Sequence, residues 1–193
     1  MQYSYGTVTA PALLSETADL AAPQLLGWHL TTQIDGVVTT VELTEVEAYR
    51  FDDPASHSFG GPRGRNLVMF ERPGLLYVYR SYGIHWCANV VCGPEGVGSA
   101  ILFRAGRPTA GEEEMARRRG RSINLARGPG NLCQALGING AHYGVDLMEA
   151  NAPIRLIPGT EMLSYRRTSR IGISKAQDRL WRFLADERST NGD

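Results

Sequence analysis

The chain has 193 residues, of which 42% are hydrophobic and 21% charged, and this fits one globular domain with its own core. No segment approaches the roughly 18 consecutive apolar residues of a membrane span. Residues 1–16 also lack the basic start and apolar run of a signal peptide. Twenty basic and twenty acidic residues give a net charge of zero, which argues against a sequence-independent coat on nucleic acid.

The basic residues are unevenly distributed along the chain. Residues 1–60 contain Arg50 as their only basic residue, whereas residues 61–130 contain eleven arginines and five acidic residues. Arginine is the side chain best suited to phosphate pairing and to insertion into a groove. The distribution therefore permits DNA binding without establishing it, and for most of these arginines, taken singly, a solvated helix or loop face is the favoured interpretation.

The N-terminal third predicts a helix followed by two strands. Residues 15–26 predict a short helix that breaks or kinks near Pro23. Residues 28–34 predict a strand, and Asp35-Gly36 a hairpin turn. Residues 37–49 alternate β-branched and polar side chains, as a half-exposed strand does.

The middle of the chain predicts a long loop, a hairpin, a strand and a helix. Residues 50–66 are rich in glycine, proline, serine and arginine, and a loop of this length is more often functional than merely connecting. Residues 75–92 predict two strands that meet at a tight Tyr82-Gly83 corner. Residues 98–105 predict a buried strand, and residues 109–120 a helix whose acidic start and basic end suit its dipole.

The remaining segments are short. Residues 132–137 predict an apolar helix ended by glycine, and residues 154–157, 170–173 and 181–184 predict strands. The whole pattern predicts a single domain over residues 1–193 of the α/β (α+β) class, with about residues 1–8 and 187–193 frayed. We expect a curved, mainly antiparallel β-sheet surrounded by short helices, with a protruding β-hairpin.

The three cysteines, Cys87, Cys92 and Cys133, predict reduced thiols rather than a disulfide framework. Cys87 and Cys92 lie five residues apart on one predicted strand, so they point to opposite faces. A zinc site is not expected either, because no second ligand pair follows His85 and Cys87 at finger-like spacing.

Two side chains near the long loop are candidates for acid–base chemistry. Glu47 ends the alternating strand beside the loop, where a carboxylate can act as a general base. An exposed glutamate at a strand edge is more often only solvated, and Glu45 shares its face. His57 lies within the loop, where a histidine more often caps a backbone group.

Tyrosines crowd the predicted hairpin. Tyr77 and Tyr79 share one face of their strand, and Tyr82 lies at the tip. An aromatic ring at an exposed tip has no core to enter, so it is a candidate wedge for the DNA minor groove or a stacking partner for a flipped base. For Tyr77, ordinary cross-strand packing is the preferred interpretation.

A series of motifs follows these features in order. They are Val41-Glu-Leu-Thr-Glu-Val-Glu47-Ala-Tyr49, Ala55-Ser-His57-Ser, Arg65-Asn66, Pro73-Gly74-x-Leu-Tyr77-Val-Tyr79-x-x-Tyr82-Gly83, Cys87-Ala-Asn89, Leu102-Phe-Arg104-Ala, Gly128-Pro-Gly-Asn-Leu-Cys-Gln-Ala-Leu136 and Arg170-Ile-Gly-Ile. In order and spacing, over about residues 8–185, they resemble the alkyladenine DNA glycosylase family (3-methyladenine DNA glycosylase, mammalian type).

The resemblance implies two catalytic residues. Glu47 matches the family's general base, and Arg104 matches the arginine that helps to hold the attacking water. Val46 stands where the family has threonine, a change that we expect to point outward. The loop from Tyr49 to His57 is one residue shorter than in the mammalian relatives, and residues 169–183 match less well.

The resemblance also implies a base pocket and a wedge. Tyr49, His57 and Tyr79 match the residues that sandwich the flipped base and bond to its edge. Asn89 matches the asparagine that crowds the purine 2-position, and Tyr82 matches the intercalating wedge.

The implied activity is excision of an alkylated purine from double-stranded DNA, approached through the minor groove. The base pocket contains no lysine, so a Schiff-base lyase step is not expected, and neither a metal nor an organic cofactor is expected. We expect the chain to act as a monomer without a membrane partner. We also expect it to lie in the bacterial cytoplasm, associated with the nucleoid.

Two other classes stay open from the residues. One is a damage-binding module without catalysis, and the other is a small-molecule-binding or acyl-transfer enzyme. The lesion range, broad or confined to 3-methyladenine, also stays open.

Overall fold

Eight strands form one antiparallel sheet in the computed structural model, which describes residues 10–186. They are β1 (His29–Ile34), β2 (Val37–Tyr49), β3 (Leu76–Ser81), β4 (His85–Cys92), β5 (Ser99–Ala110), β6 (Ile154–Ile157), β7 (Tyr165–Thr168) and β8 (Arg182–Ala185). The main path runs β3-β4-β5-β2-β1-β6, while β8 pairs with β2 and β7. The sheet is curved and antiparallel and is accompanied by a few short helices, so the predicted α+β class is confirmed. The frayed ends predicted at residues 1–8 and 187–193 lie outside the described residues.

Short helices pack against this sheet. They are α1 (Ala10–Leu14), α2 (Ala18–Ala21), α3 (Glu112–Arg119) and α4 (Pro129–Leu136), with 3-10 segments at Ala22–Leu25, Gly64–Phe70 and Gly140–His142. Helix α3 begins with three glutamates and ends with three arginines, as its dipole favours. Within residues 10–186, no helix is both long enough and apolar enough to cross a bilayer.

Strand β2 changes the face that it turns to the core partway along its length. Val41 and Leu43 belong to the main core, and so do Val46 and Ala48, so two residues rather than one separate the two pairs. The ladder with β5 is irregular at this point, as at a β-bulge. Because side chains alternate along a strand, the change leaves Glu47 and its neighbours at odd positions on the face opposite the core. Val46 is fully buried, so the expectation that it points outward was wrong.

Strands β3 and β4 form the predicted hairpin. Ser81 lies opposite His85, and the Ile84 N–H donates to the Ser81 carbonyl at 2.9 Å. Tyr82 and Gly83, at the centre of this turn of residues 81–84, have φ angles of +49° and +68°, and left-handed values at both positions suit the twist of the flanking strands. Tyr82 is 87% exposed and Ile84 66% exposed, so the tip presents apolar side chains to solvent.

Three predicted elements needed correction. The strand predicted at residues 170–173 is absent: the strand lies earlier, at Tyr165–Thr168, and pairs with β8. Arg170 turns inward and Gly172 has a φ of +77°, so this segment is not extended throughout. Strand β5 runs on to Ala110, where it still pairs with β2, so α3 begins later than predicted.

The cysteines match their prediction. Cys87, Cys92 and Cys133 are free thiols, and all three are buried. Cys92 belongs to the main core, whereas Cys87 lines a cavity on the other side of β4.

Candidate active site

A cavity of about 460 Å³ opens at the base of the hairpin, where β2, β3, β4 and β5 turn the same face toward the loop of residues 50–63. Its volume is in the ordinary range for a small-molecule site. Its wall is mainly aromatic and polar and includes Tyr49, His57, Tyr77, Tyr79, Tyr82, Asn89 and Arg104. Six of the seven sequence-predicted site residues therefore surround one cavity, and the seventh, Glu47, lies directly behind it.

Glu47 is fully enclosed by the residues that form the cavity wall. Its Oε2 accepts a hydrogen bond from the Tyr49 hydroxyl at 2.8 Å and another from Arg104 Nη1 at 3.2 Å. Its Oε1 accepts from the Ile171 N–H at 2.9 Å. A carboxylate offers about four acceptor positions, so these three bonds leave room for one further donor such as water.

The surroundings of Glu47 shift its pKa upward. Burial raises the pKa of Glu47 above that of a free glutamate, although the charge of Arg104 and the hydrogen bonds from Ile171 and Tyr49 oppose this. A raised carboxyl pKa brings a general base closer to the working pH, where it is most effective.

Glu45 has a different role from Glu47, although both lie on one face of β2. Its Oε1 accepts from Arg104 Nε at 2.7 Å and from Arg182 Nε at 2.6 Å. Burial acts to raise the pKa of Glu45, but the hydrogen bonds from Arg182 and Arg104 bring it below the ordinary value. Glu45 thus stays ionised and holds Arg104 by its Nε, which leaves Nη1 directed at Glu47.

The ring side chains form a contiguous cluster. Tyr77 and Tyr79 stack with centroids 5.4 Å apart, and the edge of His57 meets Tyr79 at 4.6 Å. His57 Nδ1 and the Tyr77 hydroxyl lie 2.9 Å apart in a hydrogen bond. Tyr77 therefore packs as expected, and in addition it fixes His57, a role that its position alone did not indicate.

The ring groups are held in their neutral forms. Burial raises the pKa of Tyr77 to about 12, and it raises the pKa values of Tyr49 and Tyr79 further. Partial desolvation, followed by the charge of Arg65, lowers the pKa of His57. Neutral rings suit a pocket that selects its ligand by stacking and directional hydrogen bonds.

Asn89 lies on β4 directly opposite Tyr77 and is almost fully buried. Its Nδ2 donates to the Tyr77 carbonyl at 3.0 Å, which fixes the amide in the cavity wall. An amide held this way presents a rigid obstacle to a ligand of the wrong outline.

The mouth of the cavity carries the exposed tip and two arginines. The φ angle of Tyr82, at this tip, lies in the left-handed region, which is uncommon for tyrosine. Backbone strain of this kind concentrates at functional positions. Arg65 lies over the Tyr79 ring at 5.9 Å, and Arg80 lies over the Trp86 ring at 5.7 Å. Many other arginines of residues 61–130 form ion pairs within the protein instead, among them Arg72, Arg104, Arg107, Arg117 and Arg118.

Two contributors to the site were missed from the sequence. The Arg170-Ile-Gly-Ile motif predicts only a strand, whereas its Ile171 N–H donates to Glu47 and residues 171–173 line the cavity. Asp53 carries no local signal, and its partner Arg170 is 117 residues away. Within residues 10–186, no group of three or more His, Cys, Asp or Glu side chains could hold a metal ion.

The chain is similar to known proteins over most of its length. Residues 12–189 match the family described as methylpurine-DNA glycosylase. A relative from Mycolicibacterium fortuitum, whose assigned name is 3-methyladenine DNA glycosylase, is 51% identical over 177 residues, covering 86% of this chain and 89% of its own. A relative of the same assigned name from Rhodopseudomonas palustris (strain ATCC BAA-98 / CGA009) is 50% identical over 170 residues, covering 86% of this chain and 80% of its own. The resemblance predicted from the motifs is confirmed, and the chain belongs to the methylpurine-DNA glycosylase family.

Proposed function

We propose that this chain is a monofunctional DNA glycosylase of base-excision repair. It takes an alkylated purine that has been flipped from duplex DNA, hydrolyses the bond between the base and the sugar, and leaves an abasic site. The observation that carries this proposal is the enclosed carboxylate of Glu47, which is oriented by Arg104, Tyr49 and the Ile171 N–H beside an aromatic cavity.

Glu47 is the general base in this proposal. It takes a proton from water while the water oxygen forms a bond to the anomeric carbon of the sugar. The electrons of the broken bond leave with the base, so a purine that carries a positive charge departs as a neutral molecule. Arg104 supplies a donor at the same end of the cavity and stabilises the negative charge on Glu47.

The aromatic residues are the base pocket in this proposal. Tyr49, His57 and Tyr79 hold the flipped base by stacking and by contacts to its edge. Electron-rich rings attract a cation more strongly than a neutral base, and this favours alkylated purines. Asn89 narrows the pocket and so selects against a purine with a substituent at its 2-position.

Tyr82 is the wedge in this proposal. A base inside a duplex is out of reach, and extruding it costs about a few kcal/mol, least for a damaged or mispaired base. Tyr82 enters from the minor groove and fills the space that the base leaves. Arg65 and Arg80 at the mouth are available to the phosphates, and the chain acts as a monomer in this proposal.

The test is base release from duplexes that each carry one 3-methyladenine, ethenoadenine or hypoxanthine. We expect release by the unmodified chain and no release by Glu47→Gln, with binding to damaged duplex retained. Glu42→Gln is the matched control, because Glu42 is a buried glutamate on the same strand that pairs with Arg107 away from the cavity. Tight binding without release from any duplex would instead identify a damage-recognition protein. Release that survives in Glu47→Gln would remove Glu47 from the mechanism.

A further inference from the structure

Arg170 and Asp53 form an ion pair whose two side chains are fully enclosed. Arg170 Nη1 donates to Asp53 Oδ2, and Nη2 donates to Oδ1 at 3.0 Å. Nη1 also donates to the Ala48 carbonyl at 3.0 Å and Nη2 to the Ala176 carbonyl at 3.4 Å. The pair therefore joins the end of β2, the loop of His57 and the segment that follows β7.

This pair lies directly behind one wall of the base pocket. The guanidinium carbon of Arg170 is 4.7 Å from the centroid of the Tyr49 ring, so Arg170 covers one face of that ring. Tyr49 itself lines the cavity, whereas Arg170 does not. Only the thickness of one aromatic ring separates the guanidinium charge from a base stacked on Tyr49.

A positive charge in that position would oppose a positively charged base. A base in ordinary contact with the Tyr49 ring would lie roughly 8 Å from the guanidinium carbon, with the ring between them. Arg170 would also compete for the electron-rich ring that attracts the cation. Asp53 removes both effects, because its carboxylate neutralises Arg170 within the same enclosed space.

We propose that Asp53, by neutralising Arg170 behind Tyr49, determines how well the pocket accepts a positively charged purine. The pair is thus a specificity determinant that never touches the base. This inference rests on the proposed function, since it concerns the charge of the base that the pocket receives.

The test compares two bases of the same outline and different charge. A duplex with 3-methyladenine presents a cation, and a duplex with 3-methyl-3-deazaadenine presents a neutral base at about pH 8. Affinity for each is measured by fluorescence anisotropy in the Glu47→Gln background, so that the result does not depend on turnover. Base release by the unmodified chain tests the proposed function separately.

Asp53→Asn keeps the shape of the side chain and removes its charge. We expect the preference for the cationic over the neutral duplex to fall about tenfold, which corresponds to about 1.4 kcal/mol. Asp52→Asn is the matched control, because Asp52 is the adjacent residue but pairs with Arg50 and Arg179 instead. We expect it to change the preference by less than about twofold. An unchanged preference in folded Asp53→Asn would overturn the proposal.

Arg170→Gln provides a second test with the opposite sign. It leaves the Asp53 carboxylate without its cation behind Tyr49, so the preference for the cationic base should rise. Removing one partner of a buried pair is destabilising, and thermal melting must first show that each variant is folded. If Asp53→Asn does not fold, Arg170→Gln decides alone. A pair with a purely structural role would lower both affinities equally and leave the ratio constant.

Discussion

The hydrogen bond from Tyr49 to Glu47 allows a quantitative test of the proposed general base. Tyr49→Phe removes the hydroxyl that donates to Glu47 Oε2 at 2.8 Å, and it keeps the ring that stacks against Arg170. A hydrogen bond to a charged group contributes about 1.5–3 kcal/mol. Because about 1.4 kcal/mol is a factor of ten, the ionised fraction of Glu47 at acidic pH should fall at least about tenfold.

The direction of the pH effect follows from the same bond. The hydroxyl stabilises the carboxylate, so its removal raises the pKa of Glu47 beyond the increase that burial already causes. Only the ionised form can accept a proton from water. The rate of Tyr49→Phe should therefore be strongly reduced on the acid side and should recover toward the unmodified rate as pH rises.

The assay is single-turnover release of 3-methyladenine between about pH 5 and pH 9, with enzyme in excess over duplex. Tyr165→Phe is the control, because Tyr165 lies on β7 and its ring packs against Phe183 rather than the cavity. An equal loss of rate at every pH would refute this reasoning, because it would show that the hydroxyl acts in some other way than on the ionisation of Glu47. A rate profile displaced toward lower pH would also refute it.

Three further predictions concern stability and positioning. Burial raises the pKa of Glu47, so ionising it costs folding free energy once the pH exceeds the ordinary glutamate range. Glu47→Gln should therefore raise the thermal midpoint relative to the unmodified chain more at about pH 8 than at about pH 4, and a smaller gain at the higher pH would contradict this. Tyr82→Asn places a residue that tolerates positive φ at the hairpin tip, so it should stabilise the fold by up to about 1 kcal/mol in urea denaturation. The same variant should lose base release from duplex DNA, and full activity would exclude the wedge. Glu45→Gln weakens the hold on Arg104, so it should reduce the release rate about tenfold with little change in KM; a pure KM effect would argue against positioning.

The sequence predicted those elements whose signals are local. The span of β2, residues 37–49, and the Tyr82-Gly83 corner of the hairpin are set by neighbouring residues, and both match their prediction. Glu47 and Arg104 were paired by the resemblance, and the structure brings them within 3.2 Å. Their roles in catalysis stay predictions.

Features that depend on distant partners could not be predicted in this way. Arg170 turns inward because Asp53, far away in the chain, gives it a buried counterion, and no pattern within residues 165–175 indicates that. The predicted strand at residues 170–173 failed for the same reason. The irregularity in β2 depends on its pairing with β5, so regular alternation gave the wrong environment for Val46.

The change of face in β2 has a consequence for substitution libraries. Positions that demand small or apolar side chains should fall at odd numbers before the irregularity, at Val41 and Leu43, and at even numbers after it, at Val46 and Ala48. When tolerance to substitution is plotted along β2, odd-numbered positions should therefore be the sensitive ones before Thr44 and even-numbered positions after it. The loss of a single residue at that junction would bring the two halves into phase as one regular alternation, with Glu47 still on the face opposite the core.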